Sequence, residues 1–253
     1  MEINKLNDMN FSYELEGIGK ISDKEQDQLF QKAIEFNDYY SFGKILKNNE
    51  PTTKVKKWFI ENIPYDSLTN YDAIPFIAKL SDIEFKKFID NLFLKADEER
   101  KKNVLGDKSG SDWKITIRSE YLIHFYQKIA PSLSETKMEI FLKKAIDDAF
   151  FSNDKGYILS TIIKRGKISK TIIPMLISLN ESNIIINLIT KFSENLKMLE
   201  IIYKSLPSGH TQRTWVLDEI KLLDANHELL GEYYLETNNE KYRPKFITDL
   251  FVF

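Results

Sequence analysis

Cysteine is absent from this 253-residue chain. That excludes disulfides, thiolate nucleophiles and cysteine-bound zinc, and it fits a reducing compartment, so a cytoplasmic location is the expectation. Histidine occurs three times, at His124, His210 and His227. Three are too few for a histidine-rich metal centre, and neither metal nor cofactor is expected. The nine glycines and seven prolines are scattered. Accordingly no Gly-x-Gly-x-x-Gly or P-loop phosphate cradle, no Gly-x-Ser-x-Gly elbow and no His-Glu-x-x-His pair occurs, which leaves catalysis without positive support. No apolar run approaches the roughly 18 residues of a membrane span. Met1 to Asn10 carries Glu2, Lys5 and Asp8 and lacks the apolar core of a secretory signal. An excess of one charge is also missing. The 36 Lys and Arg against 38 Asp and Glu leave a net charge of -2, which gives no general attraction to nucleic acid or to an anionic membrane.

What is present is an ordinary folded composition, 42% hydrophobic and 29% charged, arranged in helical periods. Ser22 with Glu25, Ser81 with Glu84 and Ser132 with Glu135 have capping-box spacing, in which each side chain satisfies the other's free backbone N–H at a helix start. Phe11, Tyr13 and Leu15 alternate with polar residues before Gly17 and Gly19, so positions 1–21 are expected to form a short strand or extended arm. A helical subdomain is expected over 22–95. The stretch 96–111, ADEERKKNVLGDKSGS, replaces apolar spacing with charge, Gly and Ser and is expected to be a polar loop or hinge.

Over 112–253 a helix from Trp113 to Ile129 and a long one after Pro131 precede six short amphipathic segments, starting roughly every 12 to 16 residues. Helices this short are marginal alone and must bury their apolar faces on one another. The expected fold is therefore all-α, an α-solenoid-like array of short antiparallel helix pairs. Such an array resembles HEAT and armadillo proteins in architecture, although no repeat motif recurs at constant spacing. The apolar tail Phe246 to Phe253 is expected to dock as a helix or strand or to form an intermolecular contact.

Few side-chain constellations rise above ordinary surface and core. Glu120 and His124 are four apart and share a helix face, as in an oriented general base, but Tyr121 and Phe125 beside them also suit plain packing. Asp147 and Asp148, flanked by Lys143 and Lys144, diverge by about 100° on a helix and read as a solvated face. Ser208-Gly209-His210 reads as an interhelical loop. Lys164, Arg165 and Lys167 gather at an expected helix C-terminus, where cations complement the dipole. With Arg213 from a neighbouring segment they form a possible anion-binding group, with His210 beside them and Trp215 as a stacking surface.

Glu228, Glu232, Glu236 and Glu240 recur every four residues with no Lys or Arg between Glu228 and Glu240, giving one acidic stripe if the helix continues that far. Like charges at this spacing destabilise a helix by a few tenths of a kcal/mol per pair, and Gly231 adds about 1 kcal/mol relative to Ala. Two accounts of the stripe follow. Lys221, Lys241 or Arg243 folds back on it, or a basic partner docks on Glu228, Glu232 and Glu236 with Tyr233 or Tyr234 as an aromatic anchor.

The functional expectation is a non-catalytic helical-repeat protein that binds a macromolecular partner, most readily another protein. It would act as an adaptor or a neutralising inhibitor of the immunity-protein kind. The alternative is nucleic-acid binding or DNA repair on a HEAT-like scaffold, similar in architecture to the helical-repeat alkylpurine DNA glycosylases, with Arg213, Trp215 and Asp218 as nominees. No membrane partner is expected.

Overall fold

A computed structural model describes residues 3–38, 40–62, 74–106, 125, 127–147 and 155–244. Every regular element among them is helical, so the chain is all-α. No helix among the described residues is long and apolar enough to cross a membrane. The chain divides into two compact units, Met1–Lys144 and Ala145–Phe253.

The first unit contains α1 (Phe11–Glu14), α2 (Asp23–Glu35), α3 (Ser41–Lys47), α4 (Thr53–Asn62), α5 (Ile74–Lys79), α6 (Asp82–Gly106) and most of α7 (Glu135–Asp147). Its core is aromatic. Phe30 and Phe42 stack at 4.1 Å, and Trp58 meets both edge-on at 5.4 and 5.3 Å. Phe59 packs on Phe76 at 4.6 Å and on Phe88 at 6.0 Å. Both expected capping boxes here form: Ser22 N–H and Ser81 N–H each donate 2.9 Å to Glu25 and Glu84. The returning bonds, Glu25 N–H and Glu84 N–H to the serine hydroxyls, are 3.3 Å.

Three local expectations are corrected. The regular parts of the arm are helical, a 3-10 turn at Ile3–Lys5 followed by α1, and neither is a strand. Phe11 and Leu15 are buried and Tyr13 is 74% exposed. The relevant spacing is thus i, i+4, which three alternating apolar residues cannot distinguish from a strand. The polar stretch that was to open the hinge is helical through Gly106. Ala96, Glu98, Glu99, Arg100, Lys101 and Lys102 are strong helix formers, so charge without apolar periodicity here continues a helix. Positions 107–111 lie outside the described residues. The third capping box does not form, because the helix starts two residues later on a one-way serine cap. Pro131 sits in a 3-10 turn, Ala130–Ser132, and Ser134 Oγ instead accepts the Lys137 N–H at 3.2 Å to start α7.

The second unit contains α8 (Lys155–Arg165), α9 (Ile173–Ser178), α10 (Ser182–Lys191), α11 (Leu196–Ser205), α12 (Gln212–Leu223) and α13 (Glu228–Thr237), with a 3-10 turn at Glu240–Tyr242. These agree with the six expected segments to within a turn. Each packs on near neighbours in the chain: α8 on α10, α9 on α11, α10 and α11 on α12, and α12 on α13. Its core is aliphatic, with Ile162, Ile173, Leu176, Ile185, Leu188, Leu199, Ile202, Leu217 and Ile220 fully buried. Asn180 and Asn238 adopt positive φ of 56° and 53° just past α9 and α13, and Asn37 does the same after α2 at 55°. Asparagine tolerates this left-handed geometry, which is a helix stop.

Candidate functional site

Helix α13 carries the acidic stripe, and its start is fixed by a histidine. His227 is 8% exposed; its Nδ1 accepts the Leu229 N–H at 3.3 Å while Nε2 lies 3.0 Å from Glu200 Oε1. The two contacts together call for the neutral tautomer with its proton on Nε2. Leu229, Leu230 and Gly231 face inward. A Cβ at Gly231 would stand 3.4 Å from Pro244 Cγ, at the near edge of ordinary contact, so neither packing nor backbone conformation requires glycine here. The outward residues are Glu228, Glu232, Leu235 and Glu236, all exposed, with Leu235 at 77%.

The helix stops at Thr237, because Asn238 turns left-handed and its N–H closes on the Tyr234 carbonyl at 2.7 Å. Glu240 therefore leaves the stripe. It accepts from the Tyr234 hydroxyl at 3.2 Å and pairs with Arg243 at 3.5 Å.

The cations expected to fold back on the stripe have other partners. Lys241 Nζ lies 2.6 Å from the Asp218 carboxylate, which also accepts from the Tyr242 hydroxyl at 2.8 Å. Lys221 donates to the Lys241 carbonyl, and the Arg243 guanidinium lies over the Tyr234 ring at 5.8 Å. Tyr233 packs edge-on to buried Tyr242 at 5.2 Å, so it is half core, while Tyr234 stands between Glu240 and Arg243. Glu228, Glu232 and Glu236 have no side-chain hydrogen bond or ion pair among the described residues.

Two of these carboxylates and one cation act on the same phenol, Tyr203. Arg213 caps the face of the Tyr203 ring at 4.2 Å, and its Nε is buried without a hydrogen-bond partner. Burial pushes the Tyr203 phenol above its ordinary range; Arg213 opposes this, and Glu236, Tyr233 and Glu232 reinforce it. Arg213, Tyr203, Glu232 and Glu236 therefore share one electrostatic neighbourhood, a grouping that spans three helices and has no linear signal in the sequence.

Lys164 and Arg165 end α8 and are exposed, as is Lys167 just beyond. The Lys164 carbonyl accepts from Lys191 Nζ at 3.4 Å, the arrangement of a cation closing a helix C-terminus, and burial lowers the pKa of Lys191. Arg213 lies over the Tyr203 ring. His210 bonds Asn180 at 3.2 Å and receives the Gln212 N–H at 3.3 Å, which makes it a loop clasp. Trp215 donates to Glu219 at 3.2 Å and is 37% exposed, and Asp218 is held by Lys241 and Tyr242. Among the described residues no group of three or more His, Asp or Glu could hold a metal ion. The Glu120–His124 pair, Asp148 and the tail Phe246 to Phe253 lie outside the described residues.

Comparison of the chain with protein-family models, with curated proteins and with solved structures finds no match in any of the three.

Proposed function

We propose that this chain is a non-catalytic, cytoplasmic helical-repeat protein, its second unit an α-solenoid of short helix pairs, that binds a protein partner carrying a basic surface. The role is that of an adaptor or a neutralising inhibitor of the immunity-protein kind. The observation that carries this reading is the outward face of α13: three exposed carboxylates in line, without internal partners, although Lys221, Lys241 and Arg243 lie close in sequence and are engaged elsewhere. Like charges four apart on a helix are unfavourable, and complementary charge on a partner offsets that cost while steering association. Leu235 supplies exposed apolar area in the middle of the stripe.

The test is capture from the native host at low salt, with the wild-type chain and a Glu228→Gln/Glu232→Gln/Glu236→Gln variant as paired baits and mass-spectrometric identification of what each retains. A protein partner with a basic surface should be retained by the wild type, released by added salt and lost from the variant. Retention of nucleic acid instead, insensitive to the three changes, would favour the nucleic-acid reading centred on Lys164, Arg165, Lys167 and Arg213.

A further inference from the structure

The outer face of α2 in the first unit carries a second line of unpartnered polar groups, unrelated to α13. Lys24, Gln28, Gln31 and Glu35 follow at i, i+4, i+7 and i+11, which places all four within about 60° of one another around the helix axis. They floor an open cavity of about 510 Å³, walled by Ile3 of the N-terminal 3-10 turn and by Lys54 in the first turn of α4.

Flanking groups are already engaged. Asp27 accepts from the Thr52 hydroxyl at 2.5 Å, and Lys32 donates to the Leu6 carbonyl at 3.1 Å while lying over the Phe36 ring. Lys24, Gln28, Gln31, Glu35 and Lys54 have no side-chain hydrogen bond or ion pair among the described residues.

The charges also run against helix stability. Lys24 and Lys54 stand in the first turns of α2 and α4, where the positive end of the dipole disfavours a cation, and Glu35 is the last residue of α2, where the negative end disfavours an anion. Asp23 and Glu25 in the first turn of α2 and Lys32 in its last already complement that dipole, so Lys24, Lys54 and Glu35 add nothing to helix stability and are left for a ligand of opposite polarity. Between the charged ends, two amides one turn apart each offer N–H donors and a carbonyl acceptor, the complement of a peptide backbone.

We propose that this groove binds an extended peptide segment with an acidic residue at Lys24 and Lys54, a basic residue at Glu35, and its backbone hydrogen-bonded by Gln28 and Gln31. The eleven helical steps from Lys24 to Glu35 span about 16 Å, which an extended chain covers in about five steps of roughly 3.3 Å, or about six residues.

The probe is fluorescently labelled Lys-Ala-Ala-Ala-Ala-Asp, capped at both ends, with Asp-Ala-Ala-Ala-Ala-Asp as its all-acid counterpart, followed by polarisation at low salt with the full chain. The wild type should bind the mixed peptide saturably and in preference to the all-acid one. Glu35→Lys should invert that preference. Lys24→Glu with Lys54→Glu should weaken the mixed peptide by about tenfold, since each exposed charge contact is worth roughly a factor of 1.4 to 5 and is here reversed. All three positions are exposed and the reversals relieve the dipole conflict, so melting curves unchanged or slightly raised are expected to accompany these effects. Absence of saturable binding to the wild type, or a peptide preference unmoved by Glu35→Lys, overturns the assignment. Displacement of the mixed peptide by millimolar inorganic phosphate as readily as by unlabelled peptide would also overturn it, in favour of a simple anion site at Lys24 and Lys54.

Discussion

Replacing Glu228, Glu232 and Glu236 together by Gln should make the free protein slightly more stable, and the size of the gain follows from α13. The helix holds two like-charged i, i+4 pairs, Glu228 with Glu232 and Glu232 with Glu236, each costing about 0.2–0.5 kcal/mol. Glu228 in the first turn interacts favourably with the dipole and Glu236 in the last turn unfavourably, so those two contributions largely cancel. Arg213 is near enough to matter to Tyr203 but makes no ion pair with Glu232 or Glu236, which trims the gain slightly. The net expectation is about 0.5 kcal/mol, or a Tm rise of about 1–2 °C for a chain of this size. Calorimetry at low salt should show it, and at about 1 M salt, where the screening length falls to roughly 3 Å, the difference should vanish. A loss of stability above about 1 kcal/mol would refute the reasoning, because it would mean that the carboxylates are internally engaged and that the stripe is not free to receive a partner.

Other expectations are smaller in scope. His227→Ala removes both the cap on Leu229 N–H and the bond to Glu200, and should cost about 1–2 kcal/mol in urea denaturation, with His227→Asn recovering part of it through its own capping oxygen. Gly231→Ala should stabilise by up to about 1 kcal/mol, since the new Cβ meets only Pro244 Cγ at 3.4 Å; a loss would show that Pro244 cannot yield. Burial, then the bond to Asp218, raises the pKa of the Tyr242 phenol, so the folded state holds its proton longer than the unfolded chain. Its contribution is therefore complete below the unfolded phenol's pKa near 10 and is lost as pH rises through the folded value, and Tyr242→Phe should flatten the alkaline decline in stability.

The helical cadence of the second unit was legible because each short helix has one aliphatic face, and burial of Ile185, Leu188, Leu199 and Ile202 keeps that period visible. Two capping boxes were legible for the same local reason: both partners lie within one turn. The 3-10 turn around Pro131 was not, because Ser132 and Ser134 both precede a helix and only the packing of Leu133 decides between them. Asn37, Asn180 and Asn238 could have been read as stops, since asparagine is the residue after glycine best suited to positive φ.

The acidic stripe separates what spacing conveys from what it does not. Spacing alone places Glu228, Glu232 and Glu236 on one face, and the helix does so. It also nominates Glu240, but the left-handed Asn238 ends the helix and hands Glu240 to Tyr234 and Arg243. The fate of the nearby cations depends on Tyr242. With its ring buried under Tyr233 and its hydroxyl on Asp218, it brings the 3-10 turn back onto α12. Lys241 thereby reaches Asp218, and Lys221 reaches the Lys241 carbonyl. A buried tyrosine more than twenty residues from Asp218 thus determines that the carboxylates of α13 stay unpaired. Tyr242→Ala should accordingly release the turn from α12 and free Lys241 for the stripe, weakening capture of a basic partner without altering any residue of the docking face. Undiminished capture by a folded Tyr242→Ala variant would show that the turn does not control the availability of the stripe.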